Sequence, residues 1–204
     1  MVESAQEIPA SFNSGLNSEH HYKVIERVGE GGQGSVSVAF KYDLDDRALG
    51  IVACKFIKQS YIDLSRETRE AQLEREIQNM TRSDPMICSQ LHEVIRRDGV
   101  GVILVMDYAN GLSLNQLLNI RYYEIPEPEA REIIKLLSYG LASLKSKEIM
   151  HRDININNVV LHFPSQEPTE QDLLDPRDYY NRLKVKIDHI LRTDLMGRAQ
   201  IRDL

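Results

Sequence analysis

Tryptophan is absent from this sequence of 204 residues, and cysteine occurs only at Cys54 and Cys88. Two cysteines are too few for the disulfide framework of a small secreted protein, and both lie among apolar residues, where a buried free thiol is expected. No stretch approaches the roughly 18 apolar residues of a membrane span, and the polar N-terminus lacks the basic start and apolar run of a signal peptide. We therefore expect an intracellular, cytoplasmic protein without a membrane partner.

A basic excess is also missing, because 25 lysines and arginines stand against 31 aspartates and glutamates, which gives a net charge of −6. Binding to nucleic acid by phosphate neutralisation requires a basic surface, so we expect no nucleic-acid partner. The content of 42% apolar and 27% charged residues is that of a globular protein with a sizeable core. Residues 1–21 are dominated by polar side chains and are predicted to be a disordered leader.

An antiparallel sheet is predicted from Tyr22 onward. Five stretches have either the alternation or the short apolar run of strands: 22–28, 36–40, 51–57, 87–95 and 100–108. The first three follow one another closely and predict a meander. The last two flank the turn signal Arg97-Asp98-Gly99 and predict a second hairpin.

Helical periodicity appears in two longer stretches. Residues 64–80 contain no glycine or proline and place Leu73, Ile77 and Met80 on one face. Residues 129–147 carry a wide apolar stripe, formed by Ile133, Ile134, Leu137, Leu141 and Leu144. The second half of the chain is therefore predicted to be mainly helical, and two lobes are expected.

Two further segments lie near the C-terminus. Residues 164–178 are polar and acidic and contain three prolines, which is typical of a surface insertion, taken here as about 164–182. The alternation in residues 183–187 predicts another strand.

The glycine-rich segment 29–36 has the spacing G-x-G-x-x-G-x-V. In a dinucleotide-binding fold such glycines precede a helix. Residues 35–40 alternate as a strand instead, which favours a hairpin whose backbone N–H groups approach a triphosphate. Taken alone, the segment fits a glycine-rich turn without a ligand equally well.

Lys55 ends the run Val-Ala-Cys-Lys at 52–55, on the predicted third strand. A lysine in a buried strand needs a partner for its ammonium group, unless it lies at an edge and reaches solvent along its stem. The next helix offers Glu76, which lies just before an apolar-face residue, and Glu70 and Glu74 are alternatives.

A third motif lies between the long helix and an apolar strand. It contains His151-Arg152-Asp153, with Asn158 five positions after the aspartate and the apolar run 159–161 behind it. A turn rich in Asn and Asp would explain the polar residues but not this order.

The order of glycine loop, V-A-C-K, charged helix and H-R-D loop resembles that of the eukaryotic protein kinase family, over residues 22 to about 190. The resemblance implies an α+β, protein-kinase-like two-lobe fold, with a five-stranded antiparallel N-lobe carrying one helix and a partial, mainly helical C-lobe. The N-lobe would be 22–106, the hinge 107–111 and the partial C-lobe 112–204. Together they would form an incomplete kinase domain, 22–204.

The resemblance also implies roles for single residues. Asp153 would accept or orient the proton of the substrate hydroxyl, with Lys55 and Glu76 as the other catalytic residues, and Asn158 and Asp188 would bind magnesium. The implied nucleotide-binding residues are Val28, Gly29, Glu30, Gly31, Gly32, Gln33, Gly34, Ser35, Val36, Ala53, Lys55, Met106, Asp107 and Ala109.

The sequence departs from the family pattern at two places. Asn155 stands where serine/threonine kinases usually have lysine, so a positive charge near the transferring phosphoryl group is missing. An asparagine can still donate hydrogen bonds to phosphate, which predicts slower transfer. The metal-binding D-F-G, expected after the strand 183–187, is replaced by Asp188 without the phenylalanine and glycine. A shifted register would place His189 there, and 194–197 is a second candidate.

The implied function is ATP- and Mg²⁺-dependent transfer of the γ-phosphoryl group to Ser or Thr of a protein substrate. The alternative is a pseudokinase or kinase fragment that acts as a nucleotide-binding scaffold. A dinucleotide-binding oxidoreductase would need a helix after Gly34. An activation segment and an A-P-E anchor are missing from the 204 residues. Three explanations are compatible with this: a fragment of a longer protein, a degenerate kinase, or a minimal nucleotide-binding module. In each case we expect apolar helix faces to be exposed.

Overall fold

The computed structural model describes residues 9–14, 19–63, 66–85, 87–98, 101–122, 124–193 and 200–203. The chain divides into two compact units. The first, here called the sheet unit, extends to Gln78 and includes Leu91–Tyr108, and the second, the helical unit, contains Asn79–Gln90 and the chain from Ala109 onward.

Six antiparallel strands of the described chain form the sheet unit. They are β1 (Ser11–Asn13), β2 (His21–Gly31), β3 (Gly34–Tyr42), β4 (Ala48–Lys58), β5 (Leu91–Arg97) and β6 (Gly101–Asp107). Their order in the sheet is β1-β2-β3-β4-β6-β5. The alternation and the apolar runs in the sequence correctly predicted β2 to β6.

The core of the sheet unit is a cluster of buried side chains from strands β1 to β6. Tyr22, Cys54 and Phe56 are fully buried there. Tyr22 Oη donates a hydrogen bond to Glu93 Oε2 at 2.8 Å, although their strands β2 and β5 are not neighbours in the sheet. Burial and this carboxylate raise the pKa of the Tyr22 phenol above its ordinary value, so the phenol stays protonated.

Strand β1 corrects the prediction of a disordered leader. Phe12 is buried and its ring stacks on that of Tyr22, with the centroids 5.1 Å apart. One deeply buried aromatic side chain is sufficient to hold so short a strand against β2. The leader prediction is therefore wrong for residues 11–13, while 1–8 and 15–18 lie outside the described residues.

Two helices follow β4. They are α1 (Gln59–Asp63) and the longer α2 (Arg66–Arg82), which matches the predicted charged helix 64–80. Leu73 on the predicted apolar face is buried, and Ile77 and Met80 are half-buried. The apolar spacing of α2 therefore fixes which face turns toward the protein.

The helical unit begins with α3 (Leu114–Ile120) and α4 (Glu127–Ser146). Ser113 caps α3: its hydroxyl accepts from the backbone N–H of Gln116, and the Gln116 side chain accepts from the Ser113 N–H in return. At the start of α4, Glu127 and Glu129 complement the positive end of the helix dipole.

The predicted apolar stripe of α4 is only partly covered. Leu144 is buried and packs with Cys88 and Ile149, whereas Ile134 is 63% exposed and Leu141 46% exposed. The expectation of an exposed apolar helix face is thus confirmed at these two positions.

The segment after the catalytic motif differs from the prediction. Strand β7 (Val159–His162) is followed by short 3₁₀ turns at Pro164–Gln166 and Asp172–Leu174, then by α5 (Pro176–Thr193) and β8 (Gln200–Asp203). The strand predicted at 183–187 is wrong, because these residues belong to α5. The predicted insertion 164–182 also runs into this helix.

The strand β8 pairs antiparallel with β7, with Val159 opposite Asp203 and His162 opposite Gln200. About half of the chain between the two strands is thus α5, whose Tyr180, Leu183 and Leu191 are buried. Among the described residues, no helix combines the length and apolar character that crossing a membrane requires.

An arginine binds α5 to the rest of the helical unit. Arg121 Nε donates to the backbone oxygen of Leu191 at 2.7 Å, and its Nη1 donates to Glu129 Oε2 at 2.6 Å. The two charged side chains are only 11% and 8% exposed. The end of α3, the start of α4 and the last turn of α5 therefore meet at one buried ion pair.

Candidate active site

The glycine segment forms the hairpin between β2 and β3, with Gly31 opposite Gly34. A Cβ added at Gly34 would lie 1.7 Å from the Phe56 carbonyl oxygen, so packing against β4 requires a glycine there. A Cβ at Gly31 or Gly32 would meet nothing within 4 Å. The fold itself therefore does not require these two glycines, and their exposed backbone leaves room for a ligand to approach closely.

The other predicted nucleotide-binding residues of the sheet unit lie on strands β2, β3, β4 and β6. Ala53 and Met106 are buried and opposite each other in the β4–β6 pair, while Val28 is exposed. Val36 is half-buried and lies opposite Lys55 in the β3–β4 pair. Glu30 and Gln33 are exposed at the hairpin, and Ser35 is buried.

Lys55 and Glu76 form an ion pair, with 2.7 Å between Lys55 Nζ and Glu76 Oε1. The pair joins β4 to α2, and its side chains are 27% and 36% exposed. Among the three glutamates considered from sequence, Glu76 is the one that reaches Lys55, and Glu74 pairs with Arg96 instead. The ammonium group of Lys55 thus has the carboxylate partner that its position in the strand demands.

The predicted hinge 107–111 contains the division between the two units, at Tyr108 and Ala109. Asp107 ends β6, and its Oδ1 lies 2.7 Å from His92 Nε2 on β5. Ala109 is buried. Binding of an adenine base by the backbone of these residues stays a prediction.

The catalytic motif forms a loop before β7 that is held by its own side chains. Asp153 N–H donates to His151 Nδ1 at 3.1 Å, and Arg152 has a φ of 72°. A positive φ is costly for a residue with a long side chain and is typical of functional loops. Hydrogen bonds within the loop therefore accompany a backbone conformation that a long side chain does not favour by itself.

Two asparagines hold the carboxylate of Asp153. Asn158 Nδ2 donates to Asp153 Oδ2 at 2.9 Å and to the Asp153 backbone oxygen at 2.9 Å. Asn155 Nδ2 donates to Asp153 Oδ1 at 3.1 Å. Both carboxylate oxygens therefore have a fixed orientation, and each keeps lone pairs that can accept a further proton donor.

Asn158 is suited to bind a cation. Its Nδ2 is turned to Asp153, and in the described part of the chain its Oδ1 accepts no hydrogen bond. An amide oxygen beside carboxylates belongs to the oxygen ligands that Mg²⁺ takes.

Asp188, the other predicted magnesium ligand, is on α5 and not after a strand. Its Oδ2 accepts a hydrogen bond from Arg192 Nε at 2.9 Å, one helical turn away. This hydrogen bond holds the pKa of the Asp188 carboxyl below its usual value. The strand predicted at 183–187, on which the assignment of Asp188 rested, is absent. The alternative register that placed His189 at this position rested on the same strand and loses its support too. The second candidate, 194–197, lies outside the described residues.

Sequence reasoning missed Asp203. It is the last residue of β8 and lies opposite Val159, the residue directly after Asn158. Strand β8 pairs with β7, the strand directly after the H-R-D loop, so Asp203 is a further candidate for the metal-binding aspartate. The local sequence signal is a run of only four residues, which is too short to stand out behind a long insertion.

Comparisons with known proteins identify a family for this chain. The family described as Protein kinase domain matches residues 22–172. Cell cycle protein kinase DBF2 of Candida albicans is 31% identical over 140 residues, which are 69% of this chain and 19% of that protein. Serine/threonine-protein kinase pkn3 of Myxococcus xanthus is 27% identical over 162 residues, 79% of this chain and 28% of that protein.

Among solved structures, the PknI kinase domain of Mycobacterium tuberculosis superposes with a TM-score of 0.59 at 20% identity, covering 76% of this chain and 57% of that one. Its likeness concerns the fold alone. The match spans only 19% and 28% of the lengths of the two curated kinases named above.

The fold is thus a partial protein kinase fold, with a curled antiparallel sheet and a mainly helical second unit. The chain belongs to the protein kinase family.

Proposed function

We propose that this chain is the ATP-binding and catalytic-loop part of a protein kinase that transfers the γ-phosphoryl group of ATP to Ser or Thr of a protein. The observation that carries the proposal is the joint presence of the Lys55–Glu76 ion pair and the ordered Asp153 carboxylate. A turn-rich fold without chemistry would need neither.

The sheet unit, with Ala109 directly after it in the chain, would hold the nucleotide. The backbone of Gly31 and Gly32 lies open to a triphosphate, and Glu76 keeps the Lys55 ammonium group oriented so that it can pair with phosphate oxygens. Met106, Asp107 and Ala109 would border the adenine. Because ATP is the substrate that carries the transferred group, these residues set its position.

The helical unit would act on the acceptor. Asp153 accepts or orients the proton of the substrate hydroxyl through the lone pairs that its asparagine partners leave free. The assignment to Ser or Thr is supported by relatives such as the serine/threonine-protein kinase of Myxococcus xanthus.

Magnesium would be held by Asn158 together with an aspartate. When bound, the cation offsets the negative charge of the phosphates. The pairing of β8 with β7 favours Asp203 as the second ligand, and Asp188 is the alternative that the sequence indicated. A matched pair of variants separates them: Asp203→Asn should abolish magnesium-dependent transfer, whereas Asp188→Asn should leave it within about twofold. If Asp188→Asn abolished the transfer and Asp203→Asn left it unchanged, Asp188 would be the magnesium ligand.

A second candidate function is a nucleotide-binding scaffold without transfer. It is supported by Asn155, which leaves the catalytic loop without the lysine common in serine/threonine kinases. The scaffold and the enzyme share the nucleotide site and differ in what Asp153 does.

The deciding experiment is transfer of ³²P from [γ-³²P]ATP to a mixed protein substrate, followed by phosphoamino-acid analysis. The wild type should label Ser or Thr, and Asp153→Asn should reduce the rate by at least about 100-fold, since the base is lost. Equal labelling by both proteins would refute the role of Asp153, and nucleotide binding without labelling by either protein would support the scaffold.

A further inference from the structure

The catalytic loop contains three asparagines, at 155, 157 and 158, and the structure gives them different tasks. Asn158 and Asn155 both donate to Asp153. Asn157 is exposed, and in the described part of the chain only its backbone N–H joins this network. Asn155 is therefore a specific participant rather than one polar residue among several.

The hydrogen-bonding capacity of Asn155 is used within the loop. A side-chain amide has two N–H donors and one carbonyl oxygen. Its Nδ2 lies 3.2 Å from the Asp153 backbone oxygen and 3.1 Å from Asp153 Oδ1, so both donors point to the same residue. Its Oδ1 accepts the Asn157 N–H at 2.9 Å. The side chain of Asn155 is thus directed at Asp153 and the Asn157 N–H, within the loop itself.

We propose that Asn155 is a positioning residue for Asp153 and not a ligand of the transferring phosphoryl group. This inference rests on the function proposed above and specifies how its catalytic loop works. It also revises the expectation from sequence that Asn155 compensates for a missing lysine by donating to phosphate.

The energetic reason is the charge on the acceptor. A hydrogen bond to a carboxylate is stronger than one between neutral groups. Asn155 restrains Oδ1 and Asn158 restrains Oδ2, so the carboxylate plane is fixed from both sides. With Asn155 removed, Asp153 can rotate about its side-chain bonds, and fewer encounters with the hydroxyl have the productive geometry.

Steady-state kinetics of the full chain separate the two roles. If Asn155 positions Asp153, Asn155→Ala lowers kcat about tenfold and leaves the KM for ATP unchanged. Asn155→Asp, which has the same shape but faces one carboxylate with another, lowers kcat further. Asn157→Ala is the matched control and should behave as the wild type. A raised KM for ATP in Asn155→Ala, or a loss of kcat as large in Asn157→Ala, would overturn the proposal.

A spectroscopic measurement decides the inference even if the wild type transfers no phosphate. In ¹⁵N-labelled protein, Asp153→Asn should shift the side-chain amide resonances of Asn155 and Asn158 and leave that of Asn157 in place. An unchanged Asn155 resonance would refute the positioning role. Absence of transfer with a shifted Asn155 resonance would instead refute the proposed function alone, so the two failures are distinguishable.

Discussion

The sheet unit and the helical unit depart from the family pattern to different degrees. In the sheet unit, the predicted glycine hairpin, the lysine on the third predicted strand and its glutamate partner on the next helix occur in the expected order. In the helical unit, the catalytic loop is present, but Asn155 replaces a lysine and α5 separates β7 from β8. The two units thus differ in how far the residues and strand order expected from the family pattern are present.

The largest loss of stability is expected at Gly34 in the sheet unit, where the packing leaves no room for a side chain. Gly34→Ala would place a methyl group 1.7 Å from the Phe56 carbonyl oxygen, so β3 and β4 could not pair as they do. We expect a loss above ~4 kcal/mol in the free energy of unfolding, measured by urea denaturation.

Gly32→Ala is the control in the same hairpin, because its Cβ meets nothing within 4 Å. It should change stability by less than ~1 kcal/mol. A loss as large as that of Gly34→Ala would show that the hairpin glycines serve the fold alone.

In the helical unit, the largest loss of stability is expected on substitution of Arg121. Removing this side chain leaves Glu129 charged and buried and also removes the hydrogen bond to Leu191 in α5. Arg121→Ala should therefore lower the free energy of unfolding by ~3–5 kcal/mol. Thermal unfolding and hydrogen exchange of α5 measure this loss. Arg131→Ala, which breaks an exposed pair with Glu127, should cost below ~1 kcal/mol. Equal costs would contradict the view that α5 is held at Arg121.

Phe12 tests whether β1 is part of the sheet unit. Its ring is buried against Tyr22, so Phe12→Ala should cost ~3 kcal/mol. Ser11, its exposed neighbour, is the control, and Ser11→Ala should have almost no effect. If both variants unfold like the wild type in urea, β1 contributes nothing and the leader prediction would regain its support.

The last effect concerns Cys54 and is the smallest near pH 9, where its thiol begins to ionise in the unfolded chain. Burial raises the pKa of its thiol to about 12, above the value of 9.0 for an exposed thiol. The folded state thus keeps its proton where the unfolded chain loses it, so stability is fully present below pH 9 and is lost as the pH rises towards 12. The loss should be about 1.4 kcal/mol per pH unit within that window.

Wild type is compared with Cys54→Ala, because the other ionisable side chains are present in both proteins. The difference between their unfolding free energies should narrow between pH 9 and pH 11. A constant difference would mean that Cys54 does not titrate in either state.

Much of the fold was predictable because its patterns are local. Strands β2 to β4 have their alternation and their turn within one stretch of chain, and Lys55 needed only a carboxylate on the next helix. The failure at α5 shows the limit of this reasoning. Leu183, Val185 and Ile187 alternate as in a strand, yet Val185 is 73% exposed, and the buried face follows a helical spacing.

The helical pattern was present in the sequence as Tyr180, Leu183, Ile187 and Leu191, at spacings of three and four. Short apolar runs fit both periods, and only tertiary packing decides between them. The pairing of β7 with β8 is non-local, so no local pattern identified Asp203. The hydrogen bonds from Asn155 to Asp153 likewise depend on a loop conformation that composition does not encode.

The central claim is that Lys55 binds the phosphates of ATP, and calorimetric titration of the full chain with Mg·ATP tests it most directly. Lys58 lies at the end of the same strand β4, and Lys58→Met is the matched control for Lys55→Met. We predict saturable binding by the wild type and Lys58→Met, and affinity reduced at least about tenfold in Lys55→Met, since a charge-assisted contact is lost. No binding by the wild type, or equal binding by Lys55→Met, would contradict the account.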